Sequence, residues 1–472
     1  MRVETSPTPT SSSGTPSALP VRVPLVTEPL GFLGSLRAAQ RNILSIIPDI
    51  ATRQPIVSGK TGVRWHMLMD PDAIRHVLLE QLDSYPKSKV TKNLLRPAIG
   101  ESLFVAEGAH WRWQRRAAAP VFTHRNIANL APAMTAAAQS AAERIAQAGP
   151  QAINVADEMV RATFDVITDV TFSGDGGFDR AAVHRAIDAY IDAAARVSLF
   201  DMLGLPDWVP RPGRVFSGAA LKQMKSVADT AIDTRRAKLT GTHTPPPQDT
   251  TPDLLDLLLA GVDPETKRTM NTGELRDNLL TFIVAGHETT ALALSWSLYL
   301  CAHAPEEQEK AAAEARSVLG ERAATAEDVA ALPHTRRIID EALRLYPPAA
   351  LVSRTALADD TLCDRDIHTG DTVMIPIYAL HRNHLLWDDP DAFRPDRFKD
   401  RKTIPRYAYL PFGDGPRICI GASFALQEAV IILATLLARS RFTPVPGRTP
   451  NPVMILTLRP EGGVWLQAHP RP

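Results

Sequence analysis

A ten-residue stretch near the C-terminal end, residues 412–421, constrains the fold of this chain more than any other. It reads Phe-Gly-Asp-Gly-Pro-Arg-Ile-Cys-Ile-Gly, and its glycines and proline indicate a loop that turns sharply and passes close to something flat. A helical pattern follows, with Ala422, Ala425 and Leu426 on one face. Cys419 therefore precedes a helix start, where unpaired N–H groups and the helix dipole favour a thiolate. Such a thiolate suits an axial iron ligand.

The residues alone leave a second interpretation open, a buried free cysteine in a glycine-rich turn. The pattern Phe-x-x-Gly-x-Arg-x-Cys-x-Gly, however, resembles the haem-binding signature of the cytochrome P-450 family, and three further family motifs lie upstream in the family's order. The resemblance begins near residue 25 and implies a mainly α fold with a smaller β portion, in a single large domain that holds haem b (iron protoporphyrin IX). It also implies that Cys419 binds the iron and that the cofactor contacts Phe412, Gly413, Arg417 and Gly421.

A long apolar helix is predicted from about Thr272, its expected N-cap, to Ala302. Its centre, residues 285–290, reads Ala-Gly-His-Glu-Thr-Thr and puts a carboxylate and hydroxyls where they are costly unless paired or used. A polar kink inside a helical bundle is one interpretation. A zinc-protease site is excluded, because Ala291 stands where a second histidine is required.

The same six residues resemble the family's oxygen-activation motif. The resemblance implies that Glu288 relays protons from water and that Thr289 hydrogen-bonds dioxygen at the iron. That chemistry needs two protons at the distal oxygen and electron push from the thiolate. It also makes Ala285 and Gly286 neighbours of the haem.

Trp111 and Arg115 stand four residues apart and share a helix face. An exposed basic helix with a half-buried tryptophan is the ordinary interpretation. Trp-x-x-x-Arg resembles the family's propionate-binding helix, in which the indole N–H and the guanidinium donate to a haem carboxylate. The basic residues around it predict, more weakly, a positive surface for an acidic electron donor; they are Arg112, Arg116 and Arg125.

Two further motifs are structural by resemblance. Glu341 and Arg344 stand three residues apart, and a solvated surface ion pair is their ordinary interpretation. They resemble the family's Glu-x-x-Arg, and Arg397 lies in a segment that resembles its Pro-Glu-Arg-Phe, with Asp396 in place of glutamate. The resemblance implies a buried network of these three charges near the haem.

The resemblance also places an apolar strand over the haem edge, with Arg354 as the second propionate partner and Arg417 as the third. Substrate-wall candidates are apolar: Phe282, Ala285, Leu351 and Val352. These positions fit a fatty acid, terpenoid, steroid or small aromatic equally well. The segment from Met454 to Leu458, in an expected closing hairpin, is a further candidate to reach the pocket.

Composition limits the partners and the compartment. Basic and acidic residues number 52 each, and this balance argues against nucleic acid as the main partner. Three cysteines cannot form a disulfide framework, which fits a cytoplasmic location. No apolar N-terminal run resembles a signal peptide or a membrane anchor, so residues 1–25 are predicted to be a disordered Ser/Thr/Pro-rich tail before one domain over residues 26–472.

Together these features predict a haem-thiolate monooxygenase that inserts one oxygen atom from dioxygen into an apolar organic substrate. Its electrons would come from NAD(P)H through a separate ferredoxin or other electron-transfer protein. Two alternatives are a peroxide-driven haem-thiolate enzyme and a non-catalytic gas sensor or carrier. The pair Glu288–Thr289 argues against both, since neither needs a proton relay.

Overall fold

The computed structural model describes residues 19–28, 30–172, 218–241 and 252–471. Helices dominate these ranges and pack around one continuous hydrophobic core. In chain order the α-helices are α1 Phe32–Arg41, α2 Pro71–Arg75, α3 Lys89–Ile99, α4 Gly108–Ala118, α5 His124–Ala148, α6 Val155–Thr171, α7 Gly218–Gly241, α8 Leu254–Leu259, α9 Thr272–His303, α10 Pro305–Leu319, α11 Pro333–Leu345, α12 Ile377–Leu380 and α13 Ala422–Arg439.

The strands form small sheets at the edge of the helical body. They are β1 Ile56–Thr61, β2 Val63–Leu68, β3 Ala152–Asn154, β4 Val352–Thr355, β5 Asp360–Leu362, β6 Arg365–Ile367, β7 Thr372–Ile375, β8 Ser440–Pro444, β9 Asn451–Met454, β10 Leu458–Glu461 and β11 Trp465–Pro470. One sheet has the order β1-β2-β7-β4, in which only β2 and β7 run parallel, and a second has the order β3-β11-β8. The pairs β9-β10 and β5-β6 are antiparallel hairpins. The mainly α fold with a smaller β portion is confirmed.

The central element is α9, which packs against α6, α7, α11 and α13. Asn271 caps it, because the Asn271 side chain accepts from the Glu274 N–H and the Glu274 side chain accepts from the Asn271 N–H, both at 3.0 Å. The expected cap at Thr272 is therefore wrong by one residue, since Thr272 is already the first helical residue. Within the described ranges, α13 is the helix whose length and composition would allow it to cross a membrane, and it lies mostly buried in this core.

The packed part of the chain begins earlier than the sequence predicts. The Val23 N–H donates to the Tyr378 hydroxyl at 2.9 Å, and Val23 is buried, whereas the sequence predicts a disordered tail as far as residue 25. The Val21 carbonyl accepts from the Tyr346 hydroxyl at 2.6 Å. Glycines and prolines predict breaks in helical sequence at residues 174–177 and 203–213 and a surface linker at residues 241–251. These stretches lie wholly or almost wholly outside the described residues.

Candidate active site

The loop before α13 holds Cys419 through its backbone. The Cys419 N–H donates to the Phe412 carbonyl oxygen at 2.9 Å. Gly413 and Gly415 both have a φ of 70°, in the left-handed region that favours glycine. A Cβ atom at Gly415 would also lie 2.6 Å from the Leu78 carbonyl oxygen. The loop therefore turns sharply and packs closely, as its glycines predict.

The Cys419 thiol faces an enclosed space. Cys419 has solvent-accessible surface. Its thiol is nevertheless surrounded by protein atoms, and this burial raises the pKa of the thiol above its ordinary value. Both observations hold when the accessible surface lines a cavity and not the outside of the protein. The Gly421 N–H and the Arg115 charge lower the pKa of Cys419, but by less than burial raises it. The expectation that the helix start would favour a thiolate is thus wrong in its net effect; a metal cation on the sulfur would reverse it, because coordination deprotonates a thiol.

Four cations, called the cation cluster here, lie near this space: Lys87, Arg115, Arg354 and Arg417. Burial and the neighbouring Arg417 lower the pKa of Arg354 to about 10. Burial, Arg417 and Arg354 together lower the pKa of Lys87 well below its ordinary value. Glu107 opposes both shifts, and it is already paired with Arg417. Positive charge is therefore in excess.

Trp111 and Arg115, on α4, make few polar contacts of their own. The guanidinium of Arg417 lies 4.1 Å from the Trp111 ring centroid. Among the described residues, no hydrogen bond or ion pair reaches the Arg115 guanidinium, and burial lowers the pKa of Arg115. An accessible thiol beside an excess of positive charge, the uncontacted Arg115 guanidinium and an indole N–H is a donor set that lacks an anion. The two carboxylates and the iron of haem b fit it.

The centre of α9 turns one accessible face toward an open space. Ala285 is exposed and Thr289, one turn later, is half-buried, whereas the residues after Thr289 are buried. The Thr289 hydroxyl donates to the Ala285 carbonyl oxygen at 2.8 Å. Gly286 serves helix packing, since a Cβ atom there would lie 3.3 Å from the Ile167 side chain on α6. The side of Gly286 where a Cβ atom would stand is thus occupied by Ile167, and its role as a haem neighbour stays a prediction.

Glu288 is bound from the β9-β10 hairpin. The Thr457 hydroxyl donates to Glu288 Oε1 at 2.7 Å, and Arg459 forms an ion pair with the same oxygen. The polar group that the sequence places inside an apolar helix therefore has partners, and both are distant in sequence. Nothing in the local sequence indicates Thr457 or Arg459.

The three charges assigned a structural role meet in the core. Arg344 donates to both oxygens of Glu341, at 2.7 and 2.8 Å, and Arg397 donates to Glu341 Oε1 at 3.3 Å. Arg344 and Glu341 are fully buried. The surface interpretation of this pair does not hold. By contrast, Arg112 pairs with Asp83 and Arg116 with Asp263, so two of the three arginines expected to form a positive surface are neutralised.

The predicted substrate-wall residues differ in exposure. Leu351 and Val352 are half-buried at the start of β4. Phe282 is buried, with its ring centroid 5.2 Å from that of Phe122, and contributes little open surface. Leu458 is also buried: its N–H donates to the Pro348 carbonyl at 3.0 Å, so the end of the predicted segment 454–458 faces the core.

A model of the cytochrome P450 family matches residues 24–467, nearly the whole chain. The chain belongs to this family. A cytokinin hydroxylase of Arabidopsis thaliana is 31% identical over 87% of this chain and 81% of its own length. A cyclooctat-9-en-7-ol 5-monooxygenase of Streptomyces melanosporofaciens is 32% identical over 94% and 95%. The haem domain of cytochrome P-450DA matches with a TM-score of 0.77 and 27% identity, over 89% of this chain and 90% of that one.

This cytochrome P-450 is an oxidoreductase of a family that uses haem b and takes electrons from NAD(P)H through a redox partner. The fold prediction is thereby confirmed in its family as well as in its class. The sequence alone does not indicate Lys87, Glu107 or Arg459, and it indicates Thr457 only as part of the candidate segment 454–458, not as a partner of Glu288. Lys87 and Glu107 lie in a stretch with many breaks, where no periodic pattern shows which side chains point inward.

Proposed function

We propose that this cytochrome P-450 inserts one oxygen atom from dioxygen into an apolar organic substrate, with Cys419 as the iron ligand. The observation that carries the proposal is the accessible face of α9, where Ala285 and Thr289 stand next to a bound, buried acid. A sensor or carrier has no use for such an acid and hydroxyl beside the open space. The relatives described above are named as a hydroxylase and a monooxygenase, which supports the same reaction type.

Haem b, when bound through Cys419, supplies the oxygen-activating chemistry. The residues of the chain supply the other requirements. The cation cluster would hold the two haem carboxylates, and the indole N–H of Trp111 would be a further donor to them. Glu288 would hold and release a proton, and the hydroxyl of Thr289, its neighbour in the chain, would accept that proton and pass its own on. Ala285, Leu351 and Val352 give the substrate an apolar surface and exclude water.

We propose a carbon-rich substrate of moderate size, such as a terpenoid alcohol, because the accessible wall residues are apolar and one relative is named for a cyclic alkenol. The electron donor would be a ferredoxin or another separate protein, and the enzyme would act in the cytoplasm, where its three free cysteines stay reduced. Reconstitution with ferredoxin–reductase pairs and with flavodoxin pairs, scored by product per NAD(P)H, tests the donor class.

The ligand assignment is tested by the absorption spectrum of the purified protein, reduced and exposed to carbon monoxide. Cys419→Ala should abolish the strongly red-shifted Soret band, while Cys363→Ala, a matched control in the β5-β6 turn, should keep it. Spin-state changes on adding library compounds would then identify ligands of the pocket. A red-shifted band that survives in Cys419→Ala would refute the assignment, and turnover with peroxide but none with reduced ferredoxin would favour the peroxide-driven alternative.

A further inference from the structure

Glu288, the acid of α9, is held through one of its two carboxylate oxygens. Thr457 and Arg459 both contact Oε1 of Glu288, and within the described ranges no hydrogen bond is made to Oε2. A carboxylate held at both oxygens would need to lose a partner before it could take up a proton. Glu288 does not, because Oε2 is available while Oε1 stays bound.

The two residues that hold Glu288 are themselves fixed. Thr457 and Arg459 flank Leu458, whose N–H donates to the Pro348 carbonyl at 3.0 Å. The Leu458 carbonyl accepts from the Trp296 indole at 3.2 Å, and Trp296 lies on α9, two turns beyond Glu288. Arg459 also pairs with Val453 across the hairpin. The hairpin is therefore bound to the same helix whose carboxylate it holds.

The ion pair leads from the core toward solvent. The Glu288 side chain is 8% exposed and the Arg459 side chain 30% exposed. A buried carboxylate next to a partly exposed guanidinium has a polar path to bulk water along that guanidinium. The Arg459 side of Glu288 therefore offers water a route to the carboxylate from outside the pocket.

We propose that Arg459 and Thr457 are positioning residues for proton delivery, which fix Oε1 of Glu288 and mark the solvent entrance of the relay. The inference rests on the proposed role of Glu288 and Thr289. For each of the two protons that one catalytic cycle consumes, Oε2 takes a proton from water and gives a proton up toward the Thr289 hydroxyl, so Glu288 returns to its carboxylate form each time. Arg459 changes neither charge nor bonding partner.

The test compares Arg459→Met, Arg459→Lys and Thr457→Val with Arg448→Met, an exposed arginine that stacks on Trp465, away from Glu288. Product and hydrogen peroxide formed per NAD(P)H, and the solvent isotope effect, are measured on the haem-loaded enzyme. Arg459→Met should lower product per NAD(P)H roughly tenfold and raise peroxide in its place, since general acid catalysis contributes at least that much. Arg459→Lys should recover most of the yield, Thr457→Val should lose less, and Arg448→Met should behave as wild type.

A readout that does not depend on turnover is the infrared carboxylate band that disappears in Glu288→Gln. It should shift in Arg459→Met and stay in place in Arg448→Met. An unchanged product yield and isotope effect in Arg459→Met, with only a lower melting temperature, would overturn the proposal and leave the ion pair a purely structural one.

A failure of the proposed proton relay through Glu288 would give results different from a failure of the role proposed for Arg459. If Glu288→Gln itself leaves product per NAD(P)H unchanged, the relay through Glu288 is wrong whatever Arg459 does. Suppose that Glu288→Gln lowers the yield, and that adding Arg459→Met lowers it further by the same factor as Arg459→Met does in the wild-type enzyme. Arg459 then acts independently of Glu288, and the positioning role is refuted. A double variant no worse than Glu288→Gln supports it.

Discussion

Glu428 is a buried acid that the proposed reaction does not use. It lies on α13, fully buried, and its Oε1 has no hydrogen-bond partner among the described residues. Burial raises the pKa of Glu428 well above its ordinary value, and a hydrogen bond from Thr290 opposes this shift. An acid whose pKa is raised on folding adds stability below its unfolded pKa of about 4.3, and that contribution is lost as the pH rises.

Glu428→Gln should therefore gain stability relative to wild type as the pH rises above about 5, with the difference growing by up to about 1.4 kcal/mol per pH unit. The amide keeps the shape of the side chain but cannot ionise. Urea unfolding of both proteins from about pH 5 to 8 measures the difference. If the free energies of unfolding of wild type and Glu428→Gln change with pH in parallel, Glu428 keeps an ordinary pKa and the prediction is wrong.

The two glycines of the Cys419 loop allow a matched comparison at the same scale. Both have a φ of 70°, but a Cβ atom at Gly413 would meet no atom within 4 Å, whereas one at Gly415 would lie 2.6 Å from the Leu78 carbonyl oxygen. Gly413→Ala should lose about 1 to 2 kcal/mol from the backbone conformation alone. Gly415→Ala should lose clearly more, as measured by thermal unfolding. Equal losses would mean that the loop moves away from Leu78 at no cost.

At the scale of elements, the sequence predicts features that neighbouring residues determine and does not predict contacts between distant segments. The sequence predicts α4, α9 and α13 from periodicity and end signals, which depend on neighbours a few residues away. The sequence Asp70-Pro71-Asp72 predicts a helix that runs to about Leu82. The helix does start at Pro71, with Asp70 accepting from the Ala73 N–H at 2.8 Å, but its last part, His76–Glu80, is a π-helix. That change, like the contact of Glu288 with the β9-β10 hairpin, depends on tertiary packing, which one sequence does not show.

The Glu341 network is an element-scale prediction that can be tested by a single charge. Removing the carboxylate leaves Arg344, which is fully buried, without its counter-charge. Breaking a buried ion pair by removing one partner typically costs about 3 to 5 kcal/mol. Glu341→Gln should show a loss of that size in chemical unfolding, or fail to accumulate as a haem-loaded protein. Arg394→Ala, which breaks the exposed pair with Asp389, is the control and should lose less than about 1 kcal/mol. Similar losses for the two variants would contradict the assignment.

At the scale of the whole molecule, the cation cluster joins distant parts of the chain. Lys87 and Arg354 form an isolated β-bridge, and the Thr355 N–H donates to the Pro86 carbonyl at 3.0 Å. Arg417 donates to the Ala106 carbonyl at 2.7 Å and so ties the Cys419 loop to the segment before α4. Resemblance alone placed Arg354 and Arg417 at the cofactor. Lys87 could not be predicted, because its role comes only from the fold that brings these segments together.

Replacing Lys87 should therefore have opposite effects on the haem-free and the haem-loaded protein: it should stabilise the first and weaken cofactor binding in the second. Without an anion, the folded state disfavours its charge, because burial and two arginines lower its pKa. A lysine whose pKa falls on folding costs stability below its unfolded pKa, and the cost grows as the pH falls. Lys87→Met should thus raise the melting temperature of the haem-free protein at neutral pH. The haem-loaded protein should instead lose its cofactor roughly tenfold faster, because a charge-assisted hydrogen bond to a carboxylate is gone.

Transfer of haem to excess apomyoglobin measures the loss of cofactor, and thermal unfolding of the haem-free chains measures the stability. Lys89→Met is the matched control, since Lys89 is exposed two residues away and should change neither quantity. Only an anion that binds in the cation cluster makes the two effects of Lys87→Met opposite in sign. If Lys87→Met destabilises the haem-free protein and leaves haem loss unchanged, the excess positive charge serves the fold and not the cofactor.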